Sequence, residues 1–147
     1  MKTGEELFVY GTLLPGERAH GLLKDLTSHL GTDEINGHLY HLGAYPGFKL
    51  IGAASENFNP HLPTVSGAAF YVKNSALGAL LDGYEGYCAE APETGLYTRQ
   101  QMLTRKGRIV WVYIYNGYVS ADQLIETGDW LNPRLTTTRR IPTIRTM

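Results

Sequence analysis

The sequence predicts an α+β fold: a small mixed, largely antiparallel sheet curled towards a β-barrel and flanked by a few short helices. Three observations lead there. The chain has 147 residues, 43% hydrophobic and 18% charged, an ordinary globular mix that fits one domain over residues 1–147. Its segments read in the order β, α, ββ, α, ββ, short α, with too few strong helices to follow every strand as a doubly wound sheet requires. Seventeen glycines supply many turns.

Residues 7–10, Leu-Phe-Val-Tyr, are apolar on both faces and β-prone, and they stop at Gly11. They read as a central strand feeding a loop over 11–16. From 17 to 30, Leu22, Leu23, Leu26 and Leu30 fall on one side of a helix, with Gly31 as its C-cap. Residues 37–43 read as a strand ending at the turn Tyr45-Pro46-Gly47, residues 67–72 as another strand, and 55–64 as loop. A second helix takes Asn74 or Ser75 as N-cap, runs through Leu77, Leu80 and Leu81 to Tyr84-Glu85, and stops at Gly86. Residues 97–105 and 109–115 flank Lys106-Gly107 as a hairpin. The second arm carries Val110, Val112 and Ile114 on one face and Trp111, Tyr113 and Tyr115 on the other, so both faces are expected to be covered. Ser120-Ala121-Asp122-Gln123 fits a capping box for a last short helix towards Glu126, ended by residues 127–130.

Charge and composition exclude several function classes. Thirteen Lys and Arg against fourteen Asp and Glu leave a net charge of -1, without the basic field that recruits nucleic acid. The imbalance is local: no acid follows Asp129, whereas Arg134, Arg139, Arg140 and Arg145 do, so 132–147 read as a basic C-terminal extension, solvated or docked. Cys88 is the single cysteine, which excludes an internal disulfide and a thiolate zinc cage. The first six residues lack the apolar core of a secretory signal, and a cytoplasmic location is expected. The longest apolar run, 109–115, is far short of the ~20 residues that cross a bilayer, so no membrane partner is expected. Among five histidines only His38 and His41 are close, and on a strand their side chains point to opposite faces, which speaks against a metal. There is no Gly-x-Ser-x-Gly turn, no signature around Cys88 and no Gly-Lys-Ser/Thr phosphate loop, so neither covalent catalysis nor nucleotide binding has a clear candidate.

Two segments carry chemistry. In Tyr10-Gly11-Thr12-Leu13-Leu14-Pro15-Gly16, a glycine directly after a buried strand lets backbone N–H groups face a carboxylate or an oxyanion. A plain strand-to-helix turn is the structural alternative. In Leu81-Asp82-Gly83-Tyr84-Glu85-Gly86, Glu85 lies at a helix C-terminus, where the dipole disfavours a carboxylate by about 0.3–1 kcal/mol, raises its pKa and suits it to act as a base. Asp82 shares that turn, and a solvated helix-end acid is the alternative for either. Tyr84 and Tyr87, able to exclude water, favour Glu85. Glycoside hydrolysis by the two acids fails, because carboxylates three residues apart on one helix cannot flank a scissile bond.

Four motifs then fall in one order over residues 7–130: Val9-Tyr10-Gly11-Thr12-Leu13, Gly37-His38-Leu39-Tyr40-His41-Leu42-Gly43-Ala44-Tyr45-Pro46, Leu81-Asp82-Gly83-Tyr84-Glu85-Gly86 and Leu96-Tyr97-Thr98-Arg99. Together they resemble the γ-glutamyl cyclotransferase-like family. The resemblance implies a pocket where the first loop meets the acidic helix end. There the backbone of Tyr10, Gly11, Thr12 and Leu13 would hold the α-amino-acid end of a γ-glutamyl group, Tyr97 would line the wall and Glu85 would be the acid/base. It further implies a cofactor-independent enzyme turning a small γ-glutamyl amine into 5-oxoproline and free amine by attack of the substrate's own α-amine. The leaving amine stays open among the ε-amine of lysine, an antibiotic intermediate and an amino acid. The alternative is a non-catalytic module on the same fold that binds a small molecule or a partner. The segment after Asn132 departs from the family core.

Overall fold

The structure, a computed structural model, describes residues 1–52 and 57–134. Positions 55 and 56 of the expected loop, and Arg139, Arg140 and Arg145 of the expected extension, lie outside the described residues. Within them the chain forms β1 (Glu6–Val9), β2 (Thr27–Asn36), β3 (His38–His41), β4 (Pro46–Lys49), β5 (Thr64–Val72), α1 (Ala76–Glu85), β6 (Tyr97–Leu103) and β7 (Ile109–Tyr115). Single 3-10 turns occupy His20–Leu22, Pro92–Thr94 and Ala121–Gln123.

β1 is central because its apolar residues have work on both faces. Leu7 and Val9 pack with Phe70, Leu77 and Leu81 beneath α1, and Phe8 packs with Ile35, Val65 and Val112 on the other side. The main sheet runs β2-β5-β1-β7-β6 and β3 with β4 forms a second, two-stranded sheet. All pairs are antiparallel except β1 with β7. Helix α1 begins after Ser75, with Asn74 Oδ1 accepting from the Ala76 N–H at 2.9 Å. It ends at Gly86, whose φ of 68° is the left-handed cap that glycine adopts without strain. Leu77 and Leu81 fix it to the sheet, each fully buried and contributing about 1.5–3 kcal/mol. The hairpin of β6 and β7 is as expected: Val110, Val112 and Ile114 enter one core cluster and Tyr113 the other.

Four expectations are corrected. The helix over 17–30 is absent. After the 3-10 turn the chain enters β2 at Thr27 and pairs with β5 from Thr27↔Val72 to Asn36↔Thr64. Nine-residue β5 needs a partner on the side away from β1, and that ladder outweighs the helical spacing of four leucines, of which only Leu23 is buried. Gly31, at φ +133°, serves a bulge between His29 and Gly31 rather than a C-cap. The turn before β4 lies at residues 42–45, where Leu42 N–H donates to Tyr45 O at 3.0 Å. Pro46 instead opens β4, the strand position where a missing N–H is tolerated. The last short helix shrinks to the turn Ala121–Gln123, held by Ser120 N–H on Gln123 Oε1 at 2.8 Å. The chain then extends, because Leu124 bridges to Tyr40 and the Ile125 N–H donates to Leu39 O.

The fourth correction is the barrel: the sheet does not close. Its edge strands β2 and β6 share no ladder. They meet at one end only, where the β6–β7 turn folds onto β2: Arg105 N–H donates to Glu34 O at 2.9 Å and Thr104 Oγ1 to Asp33 Oδ2 at 2.6 Å. The sheet is curled and its edges are joined at that end by a backbone hydrogen bond and side-chain contacts rather than by a strand ladder.

Candidate functional site

The loop leaving β1 crosses the sheet end with its carbonyls tethered. Gly11 O accepts from Leu14 N–H at 3.0 Å, Thr12 O from Ala19 N–H at 2.9 Å, Leu13 O from His20 Nδ1 at 2.8 Å and Leu14 O from Glu17 N–H at 2.9 Å. The N–H groups of Gly11, Thr12 and Leu13 donate to no group among the described residues. In a trans peptide N–H and C=O point in opposite directions, so tethering one carbonyl aims the following N–H away from the tether. Three successive amides left unpaired can act together as donors to an anion. Gly11 also makes the crossing possible: a Cβ there would lie 2.6 Å from Pro46 Cγ at the start of β4.

The end of α1 brings Glu85 to the same place. Its half-buried carboxyl has no hydrogen bond or ion pair among the described residues, and burial pushes its pKa up to about 7. The cause is desolvation by burial. Asp82, one turn earlier, is engaged: it accepts from Tyr113 Oη at 2.6 Å and pairs with Arg99, Nε–Oδ1 3.0 Å, off the hydrogen-bond direction. The Arg99 guanidinium lies between the rings of Tyr87 and Trp111, at 4.8 and 4.6 Å. The two acids that sequence position left equivalent are thereby separated.

Aromatic walls enclose the rest of a cavity of about 250 Å³. Tyr10 Oη donates to Tyr113 O at 2.6 Å, Tyr97 Oη donates to Pro46 O at 2.7 Å, and the hydroxyls of Thr12 and Tyr84 lie 2.7 Å apart. Burial raises the pKa of Tyr10, Tyr97 and Tyr113 above the usual tyrosine value, so these hydroxyls stay neutral.

Every residue singled out from sequence, namely Tyr10, Gly11, Thr12, Leu13, Glu85 and Tyr97, lines this one cavity. Sequence reasoning missed Arg18, Tyr113 and Leu96 as lining residues. Tyr113 had a weak signal in the alternation of β7. Arg18, whose Nη2 donates to Ala44 O at 3.1 Å, had none. It is the one cation among the described lining residues. His38 and His41 join no metal-holding group, and no helix is long and apolar enough to cross a membrane, both among the described residues.

Fold and site together define a class: an α+β protein with a curled, open sheet and a tyrosine-walled cavity in which an unpaired carboxyl faces a loop of free amides. Residues 7–132 match the family described as Gamma-glutamyl cyclotransferase, AIG2-like, and the chain belongs to that family. It is similar to the Gamma-glutamylcyclotransferase family protein YtfP of Escherichia coli (strain K12), 34% identical over 128 residues covering 86% of this chain and 96% of that protein. The solution NMR structure of the Escherichia coli protein ytfP superposes with a TM-score of 0.60 at 31% identity, covering 86% of this chain and 96% of that one. The Gamma-L-glutamyl-butirosin B gamma-glutamyl cyclotransferase of Niallia circulans is 31% identical over 135 residues, covering 88% of this chain and 77% of that protein.

Proposed function

We propose that the protein converts a small γ-glutamyl amine to 5-oxoproline and the free amine, with Glu85 as acid/base. The observation that carries this reading is an unpaired carboxyl, its pKa raised to about 7, in one cavity with three unpaired loop amides. The substrate's α-nitrogen attacks its γ-carbonyl carbon, the lactam C–N bond forms and the bond to the leaving nitrogen breaks. A free α-amine has a pKa of about 8 and is mostly protonated at neutral pH, so a base must act first. The ammonium passes two protons through Glu85 in turn, the second exchange placing them on the leaving nitrogen, which departs as an ammonium, while the lactam nitrogen keeps one. Such proton transfer contributes about 10²- to 10⁴-fold.

The N–H groups of Gly11, Thr12 and Leu13, with the backbone of Tyr10, hold the α-amino-acid end and steady the developing oxyanion. Tyr97 and the other rings hold the glutamyl chain bent so that amine and carbonyl meet. The step is redox-neutral and draws on no cofactor. Arg18, at the exposed rim, offers its charge to a carboxylate on the substrate. The reading carries with it a cytoplasmic setting, a small-molecule partner in place of nucleic acid or membrane, and residues 132–147 as a basic extension of a single domain.

Mass spectrometry of 5-oxoproline, after incubating the wild type and Glu85→Gln with a panel of γ-glutamyl amines, tests it. Release by the wild type and its loss in the variant are expected. Silence across the panel, with 5-oxoproline failing to raise the melting temperature, transfers the cavity to a non-catalytic binding role.

A further inference from the structure

We infer that His20 is the positioning residue of the amide loop: by holding the Leu13 carbonyl it keeps the N–H groups of Gly11, Thr12 and Leu13 presented to the carboxylate of a γ-glutamyl ligand. The inference rests on the proposed function only for the identity of that ligand. A carbonyl oxygen can only accept, so the 2.8 Å contact from His20 Nδ1 to Leu13 O fixes a proton on Nδ1. Both the Nδ1–H neutral tautomer and the imidazolium satisfy that requirement, so the tether survives either charge state of the ring.

The ring is itself anchored. It packs against Phe70 of β5 with centroids 5.7 Å apart, the His20 backbone N–H donates to Glu17 O at 3.1 Å, and the His20 carbonyl accepts from Leu23 N–H at 2.9 Å in the 3-10 turn that His20 opens. A rigid path therefore runs from the central sheet through Phe70 and His20 to the loop. Of the four carbonyl tethers, those on Gly11 and Leu14 are made within the loop and its immediate continuation, by Leu14 and Glu17. Those on Thr12 and Leu13 come from Ala19 and His20, and the His20 bond is the only one of the four made by a side chain. The Leu13 carbonyl shares its peptide with the Leu14 N–H, which donates to Gly11 O, the carbonyl that aims the Thr12 N–H; removing the His20 bond leaves that peptide held on one side only and lets the loop amides shift. A free loop that must be ordered on binding loses affinity even when every donor is retained.

His20→Asn keeps an N–H donor near the Nδ1 position, and His20→Phe keeps the ring contact with Phe70 but removes the donor. Nitrogen-15 NMR of the free proteins, followed by titration with 5-oxoproline and with 2-pyrrolidinone, which lacks the carboxylate, separates the roles. His20→Phe is expected to displace the Gly11, Thr12 and Leu13 amide resonances before any ligand is added and to weaken 5-oxoproline about tenfold, the size of one charge-assisted hydrogen bond. Its 2-pyrrolidinone affinity should be unchanged. His20→Asn is expected to resemble the wild type on every count. Unmoved amides and wild-type affinity in His20→Phe overturn the inference, as does an equal loss in His20→Asn, which would make the ring a packing element only. Should His20→Phe fail to fold, His20→Leu removes the same donor. A wild type that binds no 5-oxoproline removes the proposed function, while the ligand-free amide resonances still decide the role of His20.

Discussion

Glu85 and Asp82 are carboxylates three positions apart on α1, and what separates them is what each one touches. Asp82 has the Arg99 guanidinium and the Tyr113 hydroxyl; Glu85 has neither and loses water to the surrounding rings. Two pH dependences follow for Glu85. In catalysis Glu85 must be a carboxylate to take a proton from the attacking nitrogen, so kcat/KM should rise through about 7 as Glu85 ionises. Initial rates of 5-oxoproline release from pH 5.5 to 9.5 would check it, and a rising limb near the ordinary carboxylate pKa would contradict it. In stability the sign is opposite to that of a salt-bridged acid. Folding raises the Glu85 pKa from 4.5 to about 7, so the folded chain holds the proton more tightly; the contribution is full below pH 4.5 and is lost as pH rises through about 7. Glu85→Gln should therefore melt above the wild type at pH 8, with the advantage disappearing near pH 4. The candidates themselves were legible in sequence, from a glycine after a buried strand and an acid between two tyrosines. The neighbouring tyrosines already favoured Glu85 there; the engagement of Asp82 was not legible, because Arg99 and Tyr113 approach α1 from β6 and β7.

At the scale of elements, α1 is placed by Leu77 and Leu81 but its last turn is secured by Arg99. Arg99→Met would leave the Asp82 carboxylate with the Tyr113 hydroxyl alone and is expected to cost about 2 kcal/mol in urea unfolding, less than a fully buried pair because both side chains keep some solvent contact. Arg99→Lys should recover only part of this, since an ammonium cannot lie flat between Tyr87 and Trp111. A cost equal to that of a surface substitution, under about 0.5 kcal/mol, would show that the pair does not hold the helix end. Elements whose signals are local were legible: α1 with its Gly86 cap, and β7 with two apolar faces. The segment 17–30 was not. Its leucine spacing satisfies a helix, yet Thr27 onward is recruited by β5, a partner nearly forty residues away that no window on that segment contains.

For the molecule as a whole, the curled sheet is joined across its gap by the β6–β7 turn. Buried Asp33 is the centre of that joint, accepting from Thr104 Oγ1 at 2.6 Å, from Lys106 N–H at 3.2 Å and from Glu34 N–H at 2.8 Å. Arg105 pairs with Glu34 and Arg108 with Glu6 around it. Asp33→Ala strands those donors and is expected to lower stability by about 3 kcal/mol, with faster amide exchange at Lys106; thermal unfolding and hydrogen exchange would measure both. An unchanged melting temperature would mean that the joint is solvated and contributes nothing.

The sequence by itself determined the central strand, the glycine loop after it, the capped helix carrying Glu85 and the two-faced last strand, since each is specified by neighbours a few residues away or by its own apolar pattern. Only the tertiary structure decided that 27–36 is a strand, that the sheet stays open, that Glu85 rather than Asp82 is left unpaired, and that Arg18 and Tyr113 share its cavity. These outcomes depend on partners distant in sequence. Their energies appear only when ladder bonds, ion pairs and desolvation compete in the folded chain, and a local pattern encodes one competitor at a time.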